Sequence, residues 1–149
     1  MNVDALKADL RLDEGTRLVA YQDNAEPPVW TIGCGHTRFV CEGMTCTKEQ
    51  AENWLSEDIG YAIAGLDNNA IWWRHMPEPA QRALCNMAFN LGWPRLSGFK
   101  KMLAALQRGD FLAAADEAED SKWFGQVGAR AKRIAALYRA AATVGVANV

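Results

Sequence analysis

The chain has 149 residues, 50% of them hydrophobic, and a formal net charge of −2. That length supports one compact domain or two small lobes sharing a core, and the charge argues against a dedicated nucleic-acid binder. No run approaches the roughly 20 apolar residues of a membrane span; the N-terminus is charged within four residues and has no apolar stretch of signal-peptide length, so the chain is expected to fold in a cytoplasm.

Val3, Leu6 and Leu10 recur at helical spacing and Gly15 ends the run, which predicts an amphipathic helix over 2–14. Asp13 and Glu14 both fall near the edge of its apolar face, and the wheel does not choose between them. Arg17 to Tyr21 is rich in β-formers, Gln22 to Pro28 is turn chemistry, and Val29 to Ile32 reads as the returning strand. The Gly33-Cys34-Gly35 sequence after it predicts a tight bend with close backbone approach.

Thr47 and Gln50 form a capping box that opens a helix running to about Gly65, with Trp54, Leu55, Ile59 and Leu66 along its apolar stripe. Ala80 to Leu91 is apolar almost all round, as expected of a buried helix stopped at Gly92 and Pro94. Three more helices are predicted: one capped by Ser97 and ending at Gly109, one capped by Asp110 and ending near Glu119, and one from about Gly128 to Ala142. The architecture is α+β, mostly helical with one small antiparallel sheet near the N-terminus.

Four cysteines (Cys34, Cys41, Cys46 and Cys85) read as free thiols of a reducing compartment, and their spacing is not a zinc pattern. Residues 1–94 hold 7 Lys/Arg and 13 Asp/Glu, whereas residues 95–149 hold 9 and 5, with five cations and no acid from Ser121 onward. Such a basic end suits either an anionic surface or a solvated helix face. Arg130 lies within about 40° of Ile134, Leu137 and Ala141 on a helical wheel and so faces inward, while Lys132 and Arg139 share another face, free to meet solvent or an anionic envelope.

Glu14 and Asp23 are the candidates for carboxylate chemistry. Cleaving a glycosidic bond needs a proton donor for the leaving oxygen and a second carboxylate to direct water or to attack. Partial desolvation beside apolar residues favours a protonated carboxyl, and a polar turn favours an ionised one. His36 is the usual type of acid–base group near neutrality.

Asp13-Glu14-Gly15, Tyr21-x-Asp23 and Thr31-Ile32-Gly33-x-Gly35-His36, in this order, resemble the phage-type lysozymes of glycoside hydrolase family 24. The likeness continues through Cys85 to Gly92, Ser121 to Phe124 and Arg130 to Arg133. The resemblance implies a single lysozyme-like catalytic domain, with a sheet lobe over about 15–46 forming one wall of the cleft and a helical body from the rest.

By position it makes Glu14 the general acid, Asp23 its acidic partner and Thr31 a holder of the attacking water. His36 takes a structural role at the strand end; Asn90, Gln126 and Arg130 become substrate-binding or supporting residues, with Glu14 the implied partner of Arg130. Eight residues separate Glu14 from Asp23, as in the family, but seven separate Asp23 from Thr31, more than is usual there. Glu26 in that longer turn is a solvated carboxylate or a third acid of the site.

The activity implied is hydrolysis of the β-1,4 bond between N-acetylmuramic acid and N-acetylglucosamine by an inverting route, with the two carboxyl groups about 6.5–9.5 Å apart. No metal or organic cofactor is called for. The expected partners are peptidoglycan and, through Lys132 and Arg139, an anionic outer membrane; a monomer is expected, reaching the wall through a separate membrane-pore protein. The alternatives are a lytic transglycosylase, which closes an anhydro ring without water, and a non-catalytic wall- or membrane-binding module.

Overall fold

The computed structural model describes residues 1–147; Asn148 and Val149, the end of the basic segment noted above, lie outside them. By chain contacts it divides into a unit of Asp4–Tyr61 and a second unit of Met1–Val3 with the chain from Ala62 onward.

In the first unit, helix α1 (Val3–Glu14) buries Leu6 and Leu10, as their spacing requires. It ends where Gly15 takes φ +68° and donates its N–H to the Arg11 carbonyl at 2.9 Å, a left-handed termination that costs glycine no Cβ clash. Strands β1 (Arg17–Gln22) and β2 (Trp30–Gly33) pair antiparallel. Their register sets Arg17 opposite Gly33 but Tyr21 opposite Thr31, so β1 carries a bulge between Arg17 and Tyr21.

The other edge of β1 is covered by residues 44–46. The Ala20 N–H donates to the Met44 carbonyl and the Cys46 N–H to the Leu18 carbonyl, each at 2.9 Å. Helix α2 (Lys48–Asn69) then begins at the expected capping box: the Gln50 N–H donates to Thr47 Oγ1 at 3.1 Å and the Thr47 N–H to Gln50 Oε1 at 2.9 Å. It runs one turn beyond the predicted end at Gly65, with the Asn69 amide donating to the Gly65 carbonyl. The division between the units falls inside this helix.

The second unit contains the remainder of α2, a 3-10 turn (Trp73–His75), α3 (Glu78–Leu96), α4 (Lys100–Gln107), α5 (Phe111–Glu119), α6 (Lys122–Val127) and α7 (Ala129–Ala147). Its α7 packs on α3 and α5. Helix α3 breaks at Gly92 (φ 72°, ψ 157°), as its glycine predicts, but a helical turn resumes through Pro94 to Leu96. Proline suits that first turn because its missing N–H has no partner to lose there.

Ser97 does not cap α4. Its hydroxyl donates to the Pro94 carbonyl at 2.7 Å, and Phe99 takes the cap position without a side-chain bond. Asp110 does cap α5, accepting from the Ala113 N–H at 3.1 Å. Helix α6 has no counterpart in the sequence reading, being six residues long and too short to show a period.

Arg139 corrects the reading of the basic face. Its guanidinium is committed to Glu119 at 2.6 Å and Asp116 at 3.3 Å on α5, so it does not project beside the exposed Lys132 as a free cation. Charge counting missed this because the acids lie in a helix that sequence does not place against α7. The four cysteines are free thiols, with Cys34 and Cys85 buried and Cys41 exposed.

Asp67 closes the turn after α2. It accepts from Arg74 Nε and Nη2 and from the indole N–H of the buried Trp73 at 2.7–2.9 Å. These bonds, that from Arg74 foremost, hold its carboxyl down at about 2. A depressed acid stabilises the fold above its unfolded value and loses that contribution as pH falls through its folded value. Asp67→Asn is therefore expected to lower the melting temperature at pH 7, with the gap to the parent closing between about pH 4 and pH 2, as read by thermal melts across that range.

Candidate active site

Glu14 is the last residue of α1 and is half-buried. The backbone that lies against it is the turn after β2. There the Ile32 N–H donates to the His36 carbonyl at 2.9 Å and the His36 N–H to the Ile32 carbonyl at 3.0 Å, closing a hairpin over Gly33, Cys34 and Gly35. Gly35 has φ +71°, and a Cβ placed on it would stand 2.9 Å from Glu14 Cδ and 3.1 Å from Glu14 Oε2. The expected close approach is thus made by the carboxyl itself. Only glycine satisfies both the backbone angle and the contact.

Asp23 organises the longer turn. Its backbone N–H donates to the Val29 carbonyl at 3.0 Å, while its Oδ1 accepts from the Ala25 N–H at 3.0 Å and the Val29 N–H at 2.8 Å. The turn is therefore closed between Asp23 and Val29, and the extra residues are confined to 24–28, where Glu26 is exposed. The two pairs next to the turn keep one register, Gln22 opposite Trp30 and Tyr21 opposite Thr31, and the bulge lies farther along β1. Both side-chain bonds fall on Oδ1 and leave Oδ2 outside the turn's hydrogen bonding. Thr31 is buried, and its hydroxyl donates to the Val29 carbonyl at 3.0 Å.

His36 is buried and held on two sides. Its ring stacks on Trp54 (centroids 4.5 Å apart, planes 3° apart), and its Nδ1 donates to Asp58 Oδ2 at 2.7 Å. The other Asp58 oxygen accepts from Arg38 Nη2 at 2.6 Å. One α2 carboxylate thereby fixes two residues of the segment after β2.

Tyr21, opposite Thr31, shares a face with it, since directly paired strand residues project together. Partial burial first, and then the nearby charge of Glu14, raise its phenol above the usual value; Arg17, stacked on its ring at 4.3 Å, acts in the opposite direction. Tyr21 is therefore near enough to Glu14 and Asp23 to feel the charge of both. Neither Tyr21 nor Asp58 was singled out as a site residue from sequence. Tyr21 had one signal, strand alternation that puts it on the same face as Asp23; Asp58 had none, because its polar position on an amphipathic helix reads as solvated.

In the second unit, Asn86 and Asn90 lie one turn apart on α3 and each receives a side chain from a later helix. Arg130 Nε donates to Asn86 Oδ1 at 2.9 Å, both residues being buried, and Trp123 Nε1 donates to Asn90 Oδ1 at 3.0 Å. The inward orientation of Arg130 agrees with the wheel. Gln126, on α6, is exposed. Asn86 was legible in principle as a lone polar residue between Cys85 and Met87 on an apolar helix, since a buried amide needs a partner.

Glu14, Asp23, Thr31 and His36 therefore belong to the first unit, and Asn90, Gln126 and Arg130 to the second. A cavity of about 390 Å³ in the first unit is lined by residues that include Arg11, Leu18, Cys34 and Glu52. Among the described residues, no group of three or more His, Cys, Asp or Glu side chains is arranged to hold a metal ion, and no helix is long and apolar enough to cross a membrane.

A helical chain with a two-stranded sheet near its start, a carboxyl packed on a glycine turn and a carboxylate closing the adjoining hairpin has the lysozyme-like α+β form. Residues 12–142 match the phage lysozyme family, and the chain belongs to that family. Among its relatives, an endolysin of Acyrthosiphon pisum secondary endosymbiont phage 1 is 36% identical over 74% of this chain and 70% of its own length. The endolysin of Salmonella phage P22 is 35% identical over 72% of this chain and 73% of its own. A probable T4-type lysozyme 2 of Dictyostelium discoideum is 26% identical over 91% and 94%.

Gly35→Ala tests the central contact. The added Cβ strains the left-handed backbone by about 1 kcal/mol or more and displaces the Glu14 carboxyl. The expected outcome is a folded protein of lowered melting temperature whose turnover of purified cell walls falls at least about tenfold, a loss equivalent to about 1.4 kcal/mol of transition-state stabilisation.

Proposed function

We propose that this chain is an endolysin that hydrolyses the β-1,4 bond between N-acetylmuramic acid and N-acetylglucosamine, lysing the host at the end of phage infection. The observation that carries the reading is the packing of the Glu14 carboxyl on the Gly35 turn, in a unit that also holds Asp23 and Thr31. Glu14 protonates the leaving glycosidic oxygen, and a water attacks the anomeric carbon from the opposite face, passing the proton it loses to Asp23.

The hydrogen bonds of Thr31 and Asp23 suit them to hold that water. A hydroxyl that spends its proton on the Val29 carbonyl serves a water only as an acceptor. Asp23 Oδ2 is likewise an acceptor. With both of its hydrogens so engaged, the water directs a lone pair at carbon, which favours the inverting route.

His36 positions the strand end in this scheme, and Arg130, Asn90 and Gln126 take supporting or substrate-binding roles. The enzyme acts as a monomer, without metal or cofactor, and reaches the wall from the host cytoplasm through a separate membrane-pore protein.

Glu14→Gln removes the proton donor with little change of shape. Release of new ends from purified peptidoglycan is expected to fall by about 10²–10⁴-fold while the circular dichroism spectrum is kept. The ends released by the parent are expected to be reducing, with inverted configuration in the first product seen by NMR. Near-normal turnover by folded Glu14→Gln overturns the assignment, and 1,6-anhydro ends replace it with a transglycosylase.

A further inference from the structure

Phe39 is 97% exposed, and its backbone has φ +57°, the one positive φ outside glycine among the described residues. The left-handed conformation is unfavourable for a residue with a Cβ, and an aromatic ring in water forgoes the burial that usually stabilises it. Glycine or asparagine would relieve both penalties. Strain of this kind persists only where the surroundings impose it.

Here they do. Arg38, the preceding residue, reaches Asp58 Oδ1 at 2.6 Å and Glu57 Oε1 at 3.3 Å and stacks over the Tyr61 ring at 3.6 Å. His36 holds the other oxygen of Asp58 at 2.7 Å. The backbone leading into Phe39 is therefore pinned to α2 through one shared carboxylate, and the ring is presented in advance, which lowers the ordering cost of a contact.

We propose that Phe39 is a stacking platform for a pyranose ring of the glycan chain, a binding contact outside the set that acts on the bond. The proposal rests on the peptidoglycan reading above. An exposed ring face, in a stretch where Thr37 and Glu42 are also exposed, fits the C–H face of an uncharged sugar. An anionic membrane is the poorer match. Residues 4–61 carry five Lys/Arg against eleven Asp/Glu, and Arg38, the cation beside the ring, is spent on Asp58 and Glu57.

The test compares the Glu14→Gln protein with the same protein carrying Phe39→Gly, Phe39→Leu or Phe39→Trp. Each is melted, sedimented with purified insoluble peptidoglycan and mixed with phosphatidylglycerol vesicles. Phe39→Gly is expected to melt at the same temperature or higher, because the strain is gone, and yet to bind peptidoglycan about tenfold more weakly. Leucine should bind as weakly as glycine, and tryptophan should retain binding.

Equal peptidoglycan binding by Phe39→Gly overturns the proposal, as does full binding by Phe39→Leu or a loss confined to vesicles. The release of reducing ends by the protein with native Glu14 is scored separately. If those ends are absent while Phe39→Gly still weakens binding, the hydrolase reading fails and the platform stands; if they are present and Phe39→Gly binds normally, the platform alone fails.

Discussion

The contact between the Glu14 carboxyl and the backbone of Gly35 is the constraint to which the rest of the first unit answers. It requires α1 to end at Glu14, which Gly15 accomplishes by turning left-handed and closing on Arg11. It requires the chain after β2 to double back within three residues, which the paired bonds between Ile32 and His36 enforce. It also requires that hairpin to be held, and the stacking of His36 on Trp54 and its bond to Asp58 do so. A carboxyl at one helix end is thereby tied to a carboxylate on another helix through a turn that tolerates no side chain at its closest point.

Polar side chains in both units work by dividing their bonding capacity. Asp23 gives one oxygen to its turn, and Thr31 gives its proton to Val29. Asp58 gives one oxygen to His36 and the other to Arg38. In the second unit, Asn86 and Asn90 repeat the device at helical spacing, receiving Arg130 and Trp123 on one face of α3. Buried polar groups bonded in this way fix orientation as well as satisfying desolvated atoms. Orientation matters most where a water or a sugar must be met at a set angle.

Much of this was legible because it is local. Helix α1, the two strands, the glycine turn and the capping box at Thr47 follow from spacing and residue type within a few positions, and so does the inward face of Arg130. Misreadings arose where a local signal met a distant partner. Ser97 looked like a cap but its hydroxyl turns back to Pro94, and Arg139 looked free but is bound by Glu119 and Asp116 of α5. Helix α6 is too short to announce itself by period, and α2 outran Gly65 because a Gly inside a long helix costs only about 1 kcal/mol against the rest of the pattern.

By itself, the sequence determined which residue types could do the chemistry, their order, the elements carrying them and the likeness to a family, because periodicity, turn chemistry and motif spacing are properties of neighbours along the chain. It also showed that the turn between Asp23 and Thr31 was long. Only the tertiary structure decided that the extra residues stay outside the ladder, that Glu14 packs on Gly35, and that Asp58 serves His36 and Arg38 together. Those outcomes depend on hydrogen bonds and contacts between segments up to 22 residues apart, and the geometry of such contacts is set by packing rather than by any local preference of the residues that make them.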